Sequence, residues 1–345
     1  MPGIMRQPDQ GAKPAAVAES RASIHDPLLQ FSTASPAVTR SLSPSNRRKI
    51  AVTLQVLLSA ALALATMFPG MGAAEGISTD RAAWNAPQAP FRIYGNTWYV
   101  GPHALSSILV DTGHGLALFD GDLPESAPQI EAHLRVLGFS VRDVKWIFNS
   151  HAHIDHAGGI AALQRASGAR VLASAAGAHA MELGGHDPTD PLYGSVPGYP
   201  PVRQVRVVRD GETQRLGNVV VTVHYTPGHT PGSTSWTWIS CEQAHCLHVV
   251  YADSLAAVSS PKFRFSDHPR YLADFRRSIA TVAALPCDIL LTPHPEASDF
   301  WSRVSHRGSA AHALHLIDSG ACGRYAAAAG KALNARLAQE RAASH

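Results

Sequence analysis

The apolar run Val144–Phe148 has the length of a buried strand, and it leads directly into Ser150-His151-Ala152-His153-Ile154-Asp155-His156. In a loop at that point, His151 and His153 sit two apart and can turn both imidazoles toward one place. Asp155 and His156 follow at once and can reach a second place close by. Two further histidines hold the same kind of position. His229 lies in Thr226-Pro227-Gly228-His229-Thr230-Pro231-Gly232, after the apolar run Val219–Tyr225, and His294 lies in Thr292-Pro293-His294-Pro295, after Ile289–Leu291. Each closes a buried strand inside a stiff Pro/Gly turn, where a rigid scaffold usually places catalytic groups. A lone histidine in such a turn is more often structural. Five histidines and one aspartate at the ends of three strands read better as one shared site.

The remaining pattern fits a scaffold of that kind. Ile93–Val100, Ser107–Val110 and Leu116–Phe119 read as strands of a meander, with turns at Gly101-Pro102 and Asp111-Thr112-Gly113. Ser126 to Gly138 has helical spacing through Ile130, Leu134 and Leu137, and a second helix is expected from about Gly159 to Ala166. Further strands are expected at Arg170–Ala173, Val205–Val208, Val219–Tyr225, Ser235–Ile239, His248–Tyr251 and Ile289–Leu291. Residues 184–200 are rich in Gly and Pro and read as a surface loop, and an Ala-rich helical tail runs from about Ala326 to Ala342. No short internal repeat is present. Hairpin-linked strands mixed with helices imply two packed sheets with helices outside.

Charge and cysteines narrow the class. Residues 1–74 hold seven of the 29 Lys/Arg and three of the 26 acids, which leaves 22 basic against 23 acidic residues in the rest. The basic balance therefore belongs to the leader, and no nucleic-acid partner is implied. Asn46-Arg47-Arg48-Lys49 is a positive start, Ile50 to Phe68 is an apolar run, and Gly72-Ala73-Ala74 supplies small residues for cleavage. Residues 46–74 thus read as a signal peptide, although the run is close to the length of a membrane anchor. Residues 1–45 lack a hydrophobic period and read as a disordered extension or an over-extended start. All four cysteines follow the leader, so export permits disulfides. Cys241 and Cys246 enclose four residues between apolar runs, which fits a bridge across a hairpin and leaves Cys287 with Cys322.

The donor set His151, His153, Asp155, His156, His229 and His294 resembles that of the metallo-β-lactamase superfamily, and the chain is similar to its subclass B3 from about Phe91 to the tail. The resemblance implies an αββα sandwich of two mixed sheets with helices on the outer faces, spanning 75–345. It implies two zinc ions. His151, His153 and His229 would hold the first, and Asp155, His156 and His294 the second. The expected reaction is opening of a β-lactam ring, that of a small-molecule antibiotic, by a zinc-bound hydroxide that Asp155 orients. Other lactamase subclasses carry a zinc-binding cysteine; the nearest position here is Ser254, which as in B3 would meet the substrate. A disulfide matching Cys287–Cys322 is also a B3 feature.

Two positions depart from or complicate that pattern. B3 enzymes often have a second serine two residues after the first, and this chain has Ala256 there. Asp253 invites the bridging role of the aspartate in glyoxalase II-like thioesterases and lactone hydrolases, the rival enzymes; B3 enzymes do not use it as a ligand. A secreted zinc-binding protein without catalysis is a rival of another class. It is disfavoured because structural zinc prefers closed thiolate sites. Trp236 and Trp238 share one strand face and read as core or pocket wall, whereas His312 and His315 read as surface. Export would place the mature chain in the periplasm without a stable membrane anchor. N-terminal sequencing of native protein should return a start near Ala74, and a start upstream of Ile50 would overturn the cleavage reading.

Overall fold

Strand alternation builds the layers. Along β4 (Leu116–Phe119), Leu116 and Leu118 face one apolar cluster while Ala117 and Phe119 face another. The computed structural model describes residues 81–305 and 315–343; the leader, residues 1–45 and His312 lie outside them. The strands are β1 (Phe91–Tyr94), β2 (Thr97–Tyr99), β3 (Ile108–Asp111), β4, β5 (Val144–Phe148), β6 (Arg170–Ala173), β7 (Arg206–Val207), β8 (Thr213–Leu216), β9 (Val219–Tyr225), β10 (Thr234–Glu242), β11 (His245–Tyr251) and β12 (Ile289–Leu291). They form a seven-stranded sheet in the order β1 to β7 and a five-stranded sheet in the order β12-β11-β10-β9-β8. Both sheets are mixed: β4, β5, β6 and β7 pair in parallel, as do β11 and β12, and the other pairings are antiparallel.

Between the sheets lies an aromatic core in which Phe119, Phe148, Trp236, Trp238 and Tyr251 are almost fully buried. Trp236 and Trp238 are therefore core, and each indole still finds an acceptor: the Asn149 carbonyl and Thr97 Oγ1, both at 3.1 Å. Outside the first sheet, Leu118 and Ile147 pack against helices Ala127–Val136 and Ile160–Ser167. Outside the second, Val250 and Leu290 meet helices Pro269–Ala284 and Ala321–Ala342 through Phe275, Val282, Leu333 and Leu337. The result is the four-layer αββα sandwich. Among the described residues no helix is long and apolar enough to cross a membrane.

Several boundaries differ from the sequence reading. The single strand expected at Ile93–Val100 is a tight hairpin, because Gly95 turns the chain at φ +49°. A Cβ there would come within 2.4 Å of the Cys241 carbonyl oxygen, so a side chain would press the β1–β2 turn into β10. The histidine loop contains a helical turn, Ile154–Ala157, which carries Asp155 and His156. Helix Ala175–Glu182, helix Pro269–Ala284 and strand β8 were not anticipated, and the tail helix starts at Ala321. Residues 184–200 contain neither helix nor strand, as expected of a loop.

Two disulfides join Cys241 to Cys246 and Cys287 to Cys322. Cys241 and Cys246 face each other across the β10–β11 register. The second bridge, 35 residues apart in sequence, ties the approach to β12 to the tail helix. Closing a loop of that length restricts the unfolded chain by about 4 kcal/mol in the loop-entropy view. Denatured, unreduced protein should titrate no free thiols, and a Cys287→Ala/Cys322→Ala variant should melt well below wild type; four free thiols would refute both bridges.

Candidate metal centre

The site begins with a buried carboxylate beneath it. Asp120 follows β4 at φ +60°, a conformation that Asp tolerates better than most residues, and it is fully buried. Its Oδ1 accepts from the Ser150 amide (2.7 Å) and from Asn149 Nδ2 (3.1 Å). Its Oδ2 accepts from the hydroxyls of Ser150 (2.6 Å) and Tyr251 (2.8 Å). Asn149 Nδ2 also donates to the His151 carbonyl at 2.7 Å. The ends of β4, β5 and β11 are thus fastened at the edge where the histidine loop starts. Burial pushes the Asp120 carboxyl up to about 7, against the pull of the Ser150 and Tyr251 hydrogen bonds.

Above this floor, His151, His153 and His229 face one another like blades around a point. Their ring centroids are 4.7 to 4.9 Å apart, and the planes are close to perpendicular, at 82° to 89°. Each ring has one nitrogen already engaged. His151 Nδ1 lies 2.7 Å from Asp253 Oδ1, His153 Nε2 lies 3.1 Å from Asp190 Oδ2, and His229 Nδ1 donates to the Ala256 carbonyl at 3.0 Å. His151 Nε2 is buried with no hydrogen-bond partner at all. An orphaned ring nitrogen there is costly unless something else satisfies it. Engaging one nitrogen of each ring leaves the other to offer a lone pair, the arrangement typical of metal-binding histidines.

A second cluster adjoins the first through His151 and His156, whose centroids are 4.3 Å apart. Asp155 Oδ2 lies 3.2 Å from both His156 Nε2 and His294 Nε2, which are themselves 3.2 Å apart. Ligand atoms about 2.0–2.1 Å from a tetrahedral zinc stand about 3.3 Å from one another, so this triangle has the edge length of a zinc site. Five of the six side chains are buried, and His294 remains 35% exposed, which leaves an approach from solvent. All six residues expected at the site are brought together.

Their charge states suit a cation. Burial, followed by the neighbouring histidines, lowers His151 well below the usual range and brings His229 down to about 3. Both are neutral imidazoles at neutral pH, the form that binds metal. Burial works against ionisation of Asp155, but His156 and His294 outweigh it and hold the carboxylate well below its usual value. For His153 and His294, burial is outweighed by Asp190 and Asp155 respectively, and both are raised. The neutral His151, His156 and His229 imidazoles and the ionised Asp155 carboxylate are donors that fit zinc, and binding at His153 and His294 would displace a proton.

Residues 92–294 match the family model of the metallo-beta-lactamase superfamily. The chain belongs to the metallo-beta-lactamase superfamily. Within it, the chain groups with subclass B3. It is 50% identical to MEM-A1, a subclass B3 metallo-beta-lactamase from a soil metagenome library, over 75% of this chain and 99% of that one, with a TM-score of 0.73. It is 44% identical to the metallo-beta-lactamase MIM-1 of Novosphingobium pentaromativorans over 76% and 94% of the two chains, with a TM-score of 0.72. Among curated proteins it is 35% identical to a hydroxyacylglutathione hydrolase of Anaeromyxobacter dehalogenans over 130 residues, 38% of this chain and 40% of that relative. The match thus spans less than half the length of that curated relative.

Other residues at this metallo-beta-lactamase site escaped the sequence reading. Asp190, from the 184–200 loop, touches His153, yet nothing in the loop's composition marks it. Asp122 is fully buried and neither carboxylate oxygen has a hydrogen-bond partner; burial and then the charges of Asp120 and Asp155 raise it well above the usual range. Ala256, conspicuous for its missing hydroxyl, contributes its carbonyl to His229. Ser254 lies between Asp253 and Ala256 in sequence and is nearly buried. Asp253 Oδ1 is engaged with the far nitrogen of His151, as expected of a residue that orients a ligand. Asp253→Asn should therefore keep metal at both clusters with about 10–100-fold weaker affinity or activity. Metal analysis that finds one cluster emptied by this change would instead make Asp253 a ligand.

Proposed function

We propose that this chain is an exported hydrolase that opens β-lactam rings with two zinc ions. The observation that carries the reading is the pair of adjoining donor clusters on a chain similar to B3 lactamases along nearly their whole length. His151, His153 and His229 hold the first ion; Asp155, His156 and His294 hold the second. Zinc so bound lowers the pKa of water toward neutrality and polarises a carbonyl oxygen, which replaces a protein nucleophile and its base.

The chain's own groups do the rest. The Asp155 carboxylate, kept ionised, would orient the attacking water. The Ser254 hydroxyl donates to the substrate carboxylate, without help from position 256, where the side chain is a methyl group. His294, the most open of the six, leaves the second cluster accessible from solvent. Trp84 stands against it, ring centroids 6.0 Å apart, and narrows the approach on that side. No covalent bond to the protein is needed.

Export to the periplasm is supported by the basic and apolar order of residues 46–74 and by two disulfides in the domain that follows. The second reading, a thioesterase or lactone hydrolase on the same metals, is favoured by the hydroxyacylglutathione hydrolases among the relatives. It is weakened by those shorter matches, whereas Asp253 bears on both readings, since Oδ1 is engaged with His151 Nδ1 and Oδ2 is buried without a hydrogen-bond partner. Purified mature protein should turn over nitrocefin and imipenem, lose that activity to EDTA, and regain it with zinc. Fast cleavage of a lactone or a glutathione thioester, with negligible lactam turnover, would overturn the lactamase reading and leave the superfamily intact.

A further inference from the structure

We infer that Asp190 is a positioning residue that couples metal at the His151–His153–His229 cluster to the order of the 184–200 loop. The inference rests on the reading of that cluster as a metal site. His153 has only two ring nitrogens. Nε2 faces Asp190, at 3.1 Å from Oδ2 and 3.3 Å from Oδ1, so it carries the hydrogen and Nδ1 keeps its lone pair for the cluster. Both side chains are buried, at 5% and 8% exposure, so water competes little for this bond.

The same carboxylate organises the middle of the loop. Asp190 Oδ1 accepts from the Leu192 amide at 2.7 Å, and the Asp190 carbonyl accepts from the Tyr193 amide at 2.9 Å. The adjacent Pro191 carbonyl accepts from the Ser260 amide at 2.8 Å, which ties the loop to the segment that follows Ser254. The base of the loop is fixed separately. The Tyr199 amide donates to the Gly184 carbonyl at 3.0 Å, and the Tyr199 hydroxyl donates to the Ala152 carbonyl at 2.8 Å. Gly184 and Gly185 stand at φ +62° and +83°, a conformation open to glycine at little cost. Beyond Leu192 the tip, Tyr193 to Ser195, is exposed. The middle of the loop is therefore held through Asp190 and Pro191, and Asp190 is its link to His153.

A cation on Nδ1 withdraws electron density from the imidazole and makes Nε2–H a stronger donor to Asp190. In return, the carboxylate raises the basicity of Nδ1 and fixes the ring's orientation. Linkage requires the two effects to be equal: whatever the metal adds to loop order, loop order adds to metal affinity. Loading the first site thus strengthens the hold on the middle of the loop, and the zinc-free protein opens there first.

The test uses the mature chain, zinc, a competing chelator, and hydrogen exchange read by mass spectrometry. In wild type, zinc should slow exchange across residues 186–196 and change it little at 198–202. Asp190→Asn, which keeps the shape and loses the charge, should weaken zinc binding at one site about 10–100-fold and abolish the zinc-dependent protection. Asp190→Glu should recover part of both. Zinc that binds wild type but leaves exchange at 186–196 unchanged would overturn the coupling without any variant. So would an Asp190→Asn protein with wild-type affinity and wild-type protection. A wild-type chain that takes up no zinc would overturn the metal-centre reading itself, and this inference with it.

Discussion

A carboxylate placed where the chain would otherwise separate underlies the whole site. Asp120 stands at the end of β4 and collects four hydrogen bonds from the ends of β5 and β11. This group is fully buried with no solvent to fall back on, so losing any of these partners would leave a buried polar atom unsatisfied at a cost of about 1–3 kcal/mol. Two of its donors, Asn149 and Ser150, open the histidine loop, and a third, Tyr251, closes the strand that leads to Asp253 and Ser254. The floor therefore sets the spacing between two loops from different sheets before any histidine is placed.

The histidines are oriented from outside by groups of graded strength. Asp253 takes His151, Asp190 takes His153, and a main-chain carbonyl takes His229. The type of acceptor does not by itself set basicity, since His151 has a carboxylate partner and is lowered as His229 is. His153 is raised while His151 and His229 are lowered. This inequality follows from burial and neighbouring charge, since the three rings are arranged almost symmetrically.

Much of this was legible in the sequence, and the parts that were not have separate causes. Strands such as Val144–Phe148, Val219–Tyr225 and Ile289–Leu291 are short apolar runs closed by turn residues, and their limits were readable from that contrast. Helix Pro269–Ala284 was legible too, since Leu272, Phe275, Ile279 and Val282 recur at helical spacing and pack in one cluster; the sequence reading passed over that stripe. The six clustered residues were legible because each is a histidine or aspartate shortly after a buried strand. Asp190 was not, because its meaning lies in a contact with a residue 37 positions away, and its own surroundings read only as Gly/Pro loop. Resemblance to the family supplied the division of the ligands into two sets; the residues alone supplied only their convergence.

The polar interior would be a liability in a protein that had only to fold. His151 Nε2 and both oxygens of Asp122 are buried without partners, and the charge of Asp253 on Asp120 and those of Asp120 and Asp155 on Asp122 oppose their ionisation. Such groups cost about 1–3 kcal/mol each when left unsatisfied. The aromatic layer between the sheets offsets that cost, since Phe119, Phe148, Trp236, Trp238 and Tyr251 pack face and edge with centroids 4.6 to 6.4 Å apart. It also supplies polar tips where the site needs them, because Tyr251 reaches Asp120 and Trp236 reaches the Asn149 carbonyl. Core and site are therefore one construction: the rings that drive the sheets together also hold the loops that a cation would draw inward.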